Sequence, residues 1–434
     1  KYLRLLDGIV EGFLSAARSR PGLAAAVRSR VGDYTSTIVA ALPALGETLR
    51  GRESDILAPE QTGEARTIRT LFDTYLSVSS VQRTAAILNE RGWLEELQLC
   101  YARNFRPEKC DTRRFGAKEL AEVLAPHGGI VMWRAFVYSD TNPDDRARQA
   151  YDEFMPLDGE FAGNVIVQVK NGPIDFQPRE PFHPMFGAMP NTKLMLEAQI
   201  TKEYLGFASH LAYLAPMWRE VLTADTGRGG TVAEVIAPAG MAGVANTGSS
   251  RNWTGGHFDQ ANWYAFGRLA WDPSLSSEQI AREWAAQSFS RDAAFLAAVV
   301  PMMLQSHQAV VDYMTPLGLS HLMDTGHHYG PGPWVCDLAR PEWNPCYYHR
   351  ADADGIGFDR TATGSDALEQ YAPAVAARWR DPAAIDEDFL LWFHHLPWDW
   401  RTGSGRPLWD ELVHRYDRGV GEVDAMAQTW RSLT

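Results

Sequence analysis

Cysteine is scarce: only Cys100, Cys110, Cys336 and Cys346 occur in 434 residues. That is too few for a disulfide scaffold, and no CxxC spacing suggests zinc. Long apolar runs are missing too; none approaches the ~20 residues that a membrane helix needs. Lys1–Val10 is apolar, but Asp7 and Glu11 interrupt it and no small-residue cleavage site follows. No signal peptide or membrane anchor is therefore expected, and the cytoplasm is the default compartment. With 45% hydrophobic and 22% charged residues, collagen-like and disordered classes also drop out. A soluble globular protein is expected, with two to four domains at about 100–200 residues each.

Basic charge is in short supply, and unevenly so. Residues 1–116 carry 17 Lys+Arg against 14 Asp+Glu, whereas the remaining 318 hold 24 against 40 and a formal charge of −16. Such an acidic part repels nucleic acid, so a nucleic-acid partner is not expected. All 12 histidines lie at or after His127, and 14 of 15 tryptophans at or after Trp133. This asymmetry predicts separate units.

The first unit reads as helical. Leu3, Leu6, Ile9, Val10, Phe13 and Leu14 recur at helical spacing until Pro21-Gly22 breaks the run. Residues 63–93 form two short amphipathic stripes that resemble the helix pair of the recombinase domain of large serine recombinases, without that family's catalytic-serine domain. The period then changes. Gly128–Tyr138, Asn164–Lys170, Leu194–Thr201 and Gly240–Gly248 are short apolar runs separated by helix-compatible Asp144–Phe154 and Tyr204–Leu222. Strands alternating with helices predict a parallel sheet, its strands apolar and its polar residues confined to their ends. From Asp272 onward helices dominate: one capped by Ser276 and Gln279 as a capping box, one over Ala294–Met314, and one from Asp381-Pro382 to Phe393.

Chemistry gathers at the strand ends. Arg134 lies in the first run; Lys170 ends the second, and the turn after it presents Asp175. Thr201-Lys202-Glu203 ends the third, and Arg251-Asn252-Trp253 follows the fourth. In a βα barrel or a doubly wound sheet, such loops open onto one face. Paired carboxylates suit glycosidic hydrolysis, and neighbouring cations suit a substrate that bears its own carboxylate.

At these residues VMWRAFVY, GNVIVQVKNGPIDFQPREPFHPMFGAMP, EAQITKEYLG, HLAYLAPMW, RNWTGGHFDQANWYAFGRLAWDP and YYHRADADGIGFDR resemble the family 67 glycoside hydrolases, the xylan α-glucuronidases, over about residues 117–434. The resemblance implies an α/β fold: the C-terminal half of a TIM (β/α)8 barrel over 117–271, then an α-helical C-terminal domain over 272–434. Residues 1–116 precede these as an unrelated helical segment, foreign or fused. It further implies inverting removal of (4-O-methyl)glucuronic acid from glucurono-xylooligosaccharides. Asp175 and Glu203 then match the two general-base carboxylates, and Lys170 and Arg134 the cations that hold the uronate. Arg251, Trp253 and Trp334 are further substrate-contact candidates, the tryptophans as stacking faces for sugars. No cofactor and no metal are implied.

The family's general acid, a Glu in a Lys-Ala-Asn-Ser-Glu-Gly stretch, has no counterpart. Asn104–Leu120 stands in its place, and Glu108 takes no role there. Impaired activity is therefore expected, with a non-catalytic uronate-binding remnant or a DNA-associated fusion as alternatives. A half barrel leaves open strand edges, which N-terminal helices or a second copy in a homodimer must cover if the chain is not to aggregate. Other motifs carry less. The adjacent pairs His327-His328 and His394-His395 diverge too far for shared metal ligation. Asp352-x-Asp354-Gly355 lacks the rest of a calcium loop, and Gly227–Gly230 is a turn rather than a phosphate fingerprint.

Overall fold

The computed structural model describes residues 117–136, 144–205, 210–247, 251–324, 328 and 330–433. The expected helical segment 1–116, its helix pair at 63–93 and Glu108 lie outside these residues, as does His327. The chain divides into a unit of residues 1–129 and a second of 130–434. In the first, helix α1 (Ala117–Leu124) passes into a 3-10 turn that ends at Gly128, whose φ of 67° suits glycine.

The second unit opens with strand β1 (Val131–Arg134), helix α2 (Arg146–Phe154), β2 (Val165–Lys170) and β3 (Leu194–Gln199). Helices α3 (Ala215–Thr223) and α4 (Val232–Ile236) then lead to β4 (Met241–Val244). All four strands are parallel and lie side by side in chain order, with Lys170 paired to Glu197 and Gln199 to Val244. Sequential parallel strands joined by helices are the repeat of a βα barrel, here half of one. Beyond the sheet come helices α5 (Asp259–Trp271), α6 (Ser277–Ser288), α7 (Ala293–Met314) and α8 (Pro345–His349). After strand β5 (Gly355–Ile356) come α9 (Pro373–Trp379), α10 (Leu390–Phe393), strand β6 (Leu396–Pro397) and α11 (Leu408–Leu433).

The strands are not apolar throughout. In β2, Val165, Val167 and Val169 share one face, and Ile166, Gln168 and Lys170 the other; β3 sets Leu194, Leu196 and Ala198 against Met195, Glu197 and Gln199. Val167, Val169, Leu194, Leu196 and Ala198 belong to one core with Trp218, Met303 and Trp392. The period of two places a row of buried polar groups on the opposite face. Polar residues are thus not confined to the strand ends: Arg134 and Gln168 bind Glu197 across the strands, and Gln199 binds Glu203.

Several expected helices shift. Among the described residues, the stretch expected as a helix over Tyr204–Leu222 holds a 3-10 turn at Glu203–Leu205 and, after the non-helical residues 211–214, helix α3. The helix expected from Asp381 to Phe393 breaks into turns: Ala384 and Ile385 donate back to Asp381, and Asp386 caps a 3-10 turn before α10. Ser276 caps α6 by accepting from the Gln279 amide, but Gln279 reaches Glu283 rather than closing a capping box. Helix α7, with 22 residues, is long and apolar enough to cross a membrane, unlike the expectation of no such run. Here Val299, Met303, Val310 and Met314 are core residues, and at Gly419 of α11 an added Cβ would lie 2.7 Å from the Ala309 carbonyl. The two helices therefore touch backbone to backbone. Cys336 and Cys346, for which the sequence suggests no bridge, form a disulfide.

The barrel half is interlocked with the helical region after it. Asp145 caps α2 by accepting from the Ala147 amide, and Arg360, after β5, reaches the same carboxylate at 2.8 Å. Ser365 adds a third bond at 2.6 Å. Both ion-pair side chains are essentially inaccessible. Arg360→Met leaves a buried carboxylate without its cation, and should lower unfolding free energy by about 3–5 kcal/mol in urea titrations. A loss under 1 kcal/mol would show that the interlock is decorative.

Candidate active site

Arg134, Lys170, Asp175 and Glu203 lie at or just after strand ends. Lys170 is the last residue of β2, on its polar face, so its ammonium projects into the mouth. The chain then turns through Gly172 and Pro173 and returns Asp175 to the same ammonium. Glu180 shapes this loop: its carboxylate accepts from the amides of Ile174 (2.7 Å) and Gln177 (2.8 Å). A Cβ at Gly172 would fall 2.5 Å from the Glu180 side chain, so a residue without one is needed there.

Asp175 is 4% exposed and holds two cations, Lys170 on Oδ1 and Arg146 of α2 on Oδ2, the latter at 3.1 Å. Burial alone would raise its carboxyl, but the charges of Lys170 and Arg146 outweigh this and hold it well below the usual carboxylate range. Glu203 follows β3 and is also buried. It accepts from Gln199, from Thr201 at 2.6 Å, and from Asn246 beyond β4. The structure brings the two acids to neighbouring loops: Phe176 and Tyr204, the residue after each, have ring centroids 5.9 Å apart. The His328 ring lies tilted against that of Tyr204, with centroids 4.7 Å apart. Burial lowers its pKa while the charges of Asp175 and Glu203 act against that, so one imidazole senses both acids.

The cations converge as well. The Phe136 ring lies 4.1 Å from the Lys170 ammonium and 5.5 Å from the Arg134 guanidinium. Arg134 binds Glu197 of β3, with Nε to Oε2 at 2.8 Å, and Gln168 binds the same carboxylate. A small cavity lined by Phe136, Arg146, Lys170, Gly172 and His183 adjoins this cluster. Arg251 is exposed in the loop after β4. Trp253 beside it is half-exposed and meets Trp263 edge to face. Trp334 is 75% exposed, on a segment tied to α8 by the disulfide and by His349 donating to the Pro333 carbonyl.

Residues 107–253 match the glycosyl hydrolase family 67 middle domain, and residues 254–434 the glycosyl hydrolase family 67 C-terminus. The chain belongs to glycosyl hydrolase family 67. It is 39% identical over 338 residues to alpha-glucuronidase A of Emericella nidulans, covering 73% of this chain and 39% of that protein. The alpha-glucuronidase of Hypocrea jecorina is 39% identical over 334 residues, with the same coverage. Alpha-glucuronidase A of Aspergillus tubingensis is 36% identical over 335 residues, again with that coverage. The chain thus spans 39% of the length of these relatives.

Three buried residues that contact the candidate site residues or the Asp175 loop are not evident in the sequence: Arg146, Glu180 and Glu197. A Glu inside an apolar strand is a signal for the last, since charge is rarely buried unpaired; Arg146 directly follows the capping Asp145. Among the described residues no cluster of metal-ligand type occurs. Asp352 spends its carboxylate on the amides of Asp354 and Gly355. His394 and His395 bind the carbonyls of Trp379 and Gly357, respectively. Gly227–Gly230 is a turn leading to Thr231, which caps α4 in a capping box with Glu234.

The loop around Asp175 makes stability depend on pH. Burial pushes His183 and His321 down to about 3 and His307 to about 4. Unfolded, each protonates near 6.5, so the stability they permit is full above that value and is lost as the pH falls toward 4. Glu180 acts in the opposite sense. Burial raises it to about 7 despite its two amide donors, so its contribution is present below about 4.5 and lost as the pH rises through 7. In urea titrations between pH 4.5 and 6.5, His307→Gln should flatten the rise of stability with pH by about 1.4 kcal/mol per pH unit, and Glu180→Gln should steepen it by as much. Slopes unchanged in both variants would contradict these burial effects.

Proposed function

We propose that the chain is the C-terminal part of an inverting α-glucuronidase, which takes glucuronic acid or its 4-O-methyl ether from glucurono-xylooligosaccharides. The observation that carries this reading is the gathering of two carboxylates and two cations where consecutive parallel strands end. Inverting hydrolysis needs a carboxylate to deprotonate water on one side of the sugar, and an acid to protonate the leaving oxygen on the other. Asp175 and Glu203 take the first task together. Lys170 and Arg134, drawn to one side by Phe136, hold the uronate carboxylate. Neutral glucose offers no charge to compete with Asp175 and Glu197 for these two cations. Trp253, Trp334 and Arg251 form the outer part of the substrate path.

No acid for the leaving group is assigned in this chain, and the proposal therefore includes slow turnover. Glucuronic acid release from aldouronic acids should run roughly 10²–10⁴-fold below that of a family 67 enzyme with a full barrel. Release at a full-barrel rate would refute the impairment. Calorimetry separates binding from catalysis: glucuronic acid should bind in preference to glucose, and Lys170→Met should weaken that binding roughly 10–100-fold. Binding with no turnover at all favours a uronate-binding remnant, whereas indifference to the carboxylate overturns the reading altogether.

A further inference from the structure

Asp175 is held by two cations of different character. Lys170 ends a strand at the mouth, and its four-carbon stem can swing its ammonium from one partner to another. Arg146 has no such freedom. Its side chain is 3% exposed, and it is the first residue of α2, directly after the cap that Arg360 and Ser365 lock in place. Its backbone amide donates to the Tyr347 hydroxyl at 2.9 Å, and its Nη1 to the Tyr348 hydroxyl at 3.3 Å. Tyr348 in turn gives its own proton to the Glu342 carbonyl at 2.8 Å, so its oxygen is left as the acceptor that Arg146 needs. The guanidinium is thereby aimed at Asp175 Oδ2 from the far side of the carboxylate.

We propose that Arg146 is a positioning residue, one that keeps the Asp175 carboxylate aimed while Lys170 turns from it to the uronate of the substrate. This rests on the function proposed above. The chemistry requires such a group, because a carboxylate stripped of Lys170 in so buried a place would have no compensating charge. The planar fork of arginine also fixes direction in a way that an ammonium does not. The segment from Glu342 to Ser365 thereby acts on the proposed base through Arg146, without touching the substrate.

Protonation of Asp175 reports the clamp independently of turnover. The groups that act on its charge are Lys170 of β2, Arg146 of α2, Glu180 of its own loop, and His321 and His328 from beyond α7. The test is carbon-13 NMR of the Asp175 carboxyl in the full chain across pH, with and without glucuronic acid. In the unaltered chain it should stay ionised throughout the range in which the protein is folded. In Arg146→Met it should titrate about 1–3 pH units higher, and higher again with glucuronic acid bound. Arg146→Lys should return it most of the way. Tyr348→Phe, which keeps the guanidinium but removes its anchor, should move it less and in the same direction, and it decides the matter if Arg146→Met does not fold. Glucuronic acid binding with an unmoved Asp175 in these variants overturns the role of Arg146. A shift in Arg146→Met without any binding of glucuronic acid overturns instead the function on which that role rests.

Discussion

One ionised carboxylate, buried between two cations, sets the terms for the rest of this chain. Taking Asp175, Lys170 and Arg146 out of water is unfavourable unless each keeps its partner within bonding distance. The end of β2, the loop that Glu180 braces and the start of α2 must therefore come to one point. Each is held by means of its own: strand register for Lys170, paired amides on Glu180 for the loop, a capped helix for Arg146. The same constraint leaves Asp175 a weak base until something draws positive charge away from it. A substrate with its own carboxylate is the kind of group that does so.

The region after the sheet is part of this arrangement rather than an appendage. Arg360 and Ser365 fix the cap of α2, Tyr347 and Tyr348 hold Arg146, and Gln177 of the Asp175 loop donates its amide side chain toward His321. Arg179, four residues past Asp175, reaches Glu220 of α3 and Asp388 next to α10. Residues that touch no sugar thus decide where the acids stand.

Much of the site was legible because strand ends announce themselves. A β-rich run that stops at Lys170-Asn171-Gly172-Pro173 must turn, and the next acid is presented beside it. Family motifs then supplied roles that spacing alone did not. What stayed hidden were partners distant in sequence. Nothing near Arg146 says that Asp175, 29 residues on, receives its guanidinium, and nothing near Asp145 points to Arg360. An expectation of uniformly apolar buried strands hides Glu197, whereas a barrel turns alternate residues toward its lumen. The expected helix from Asp381 to Phe393 failed because Asp386 competes for nearby amides, a habit of short acidic side chains. Among the described residues β1 and β4 are the outer strands of the sheet, with Ile130, Met132 and Phe136 exposed at the first. Four strands, half of a barrel, accord with a chain that spans 39% of its relatives' length.

The central claim is that Lys170 and Asp175 depend on each other inside the fold. A double-mutant cycle on unfolding free energy measures that dependence, using Lys170→Met, Asp175→Asn and the pair. A coupling energy of about 1–3 kcal/mol is predicted, the double variant being less damaged than the two single losses together imply. Losses that simply add would mean that the two charges are strangers, and the account of this site would not stand.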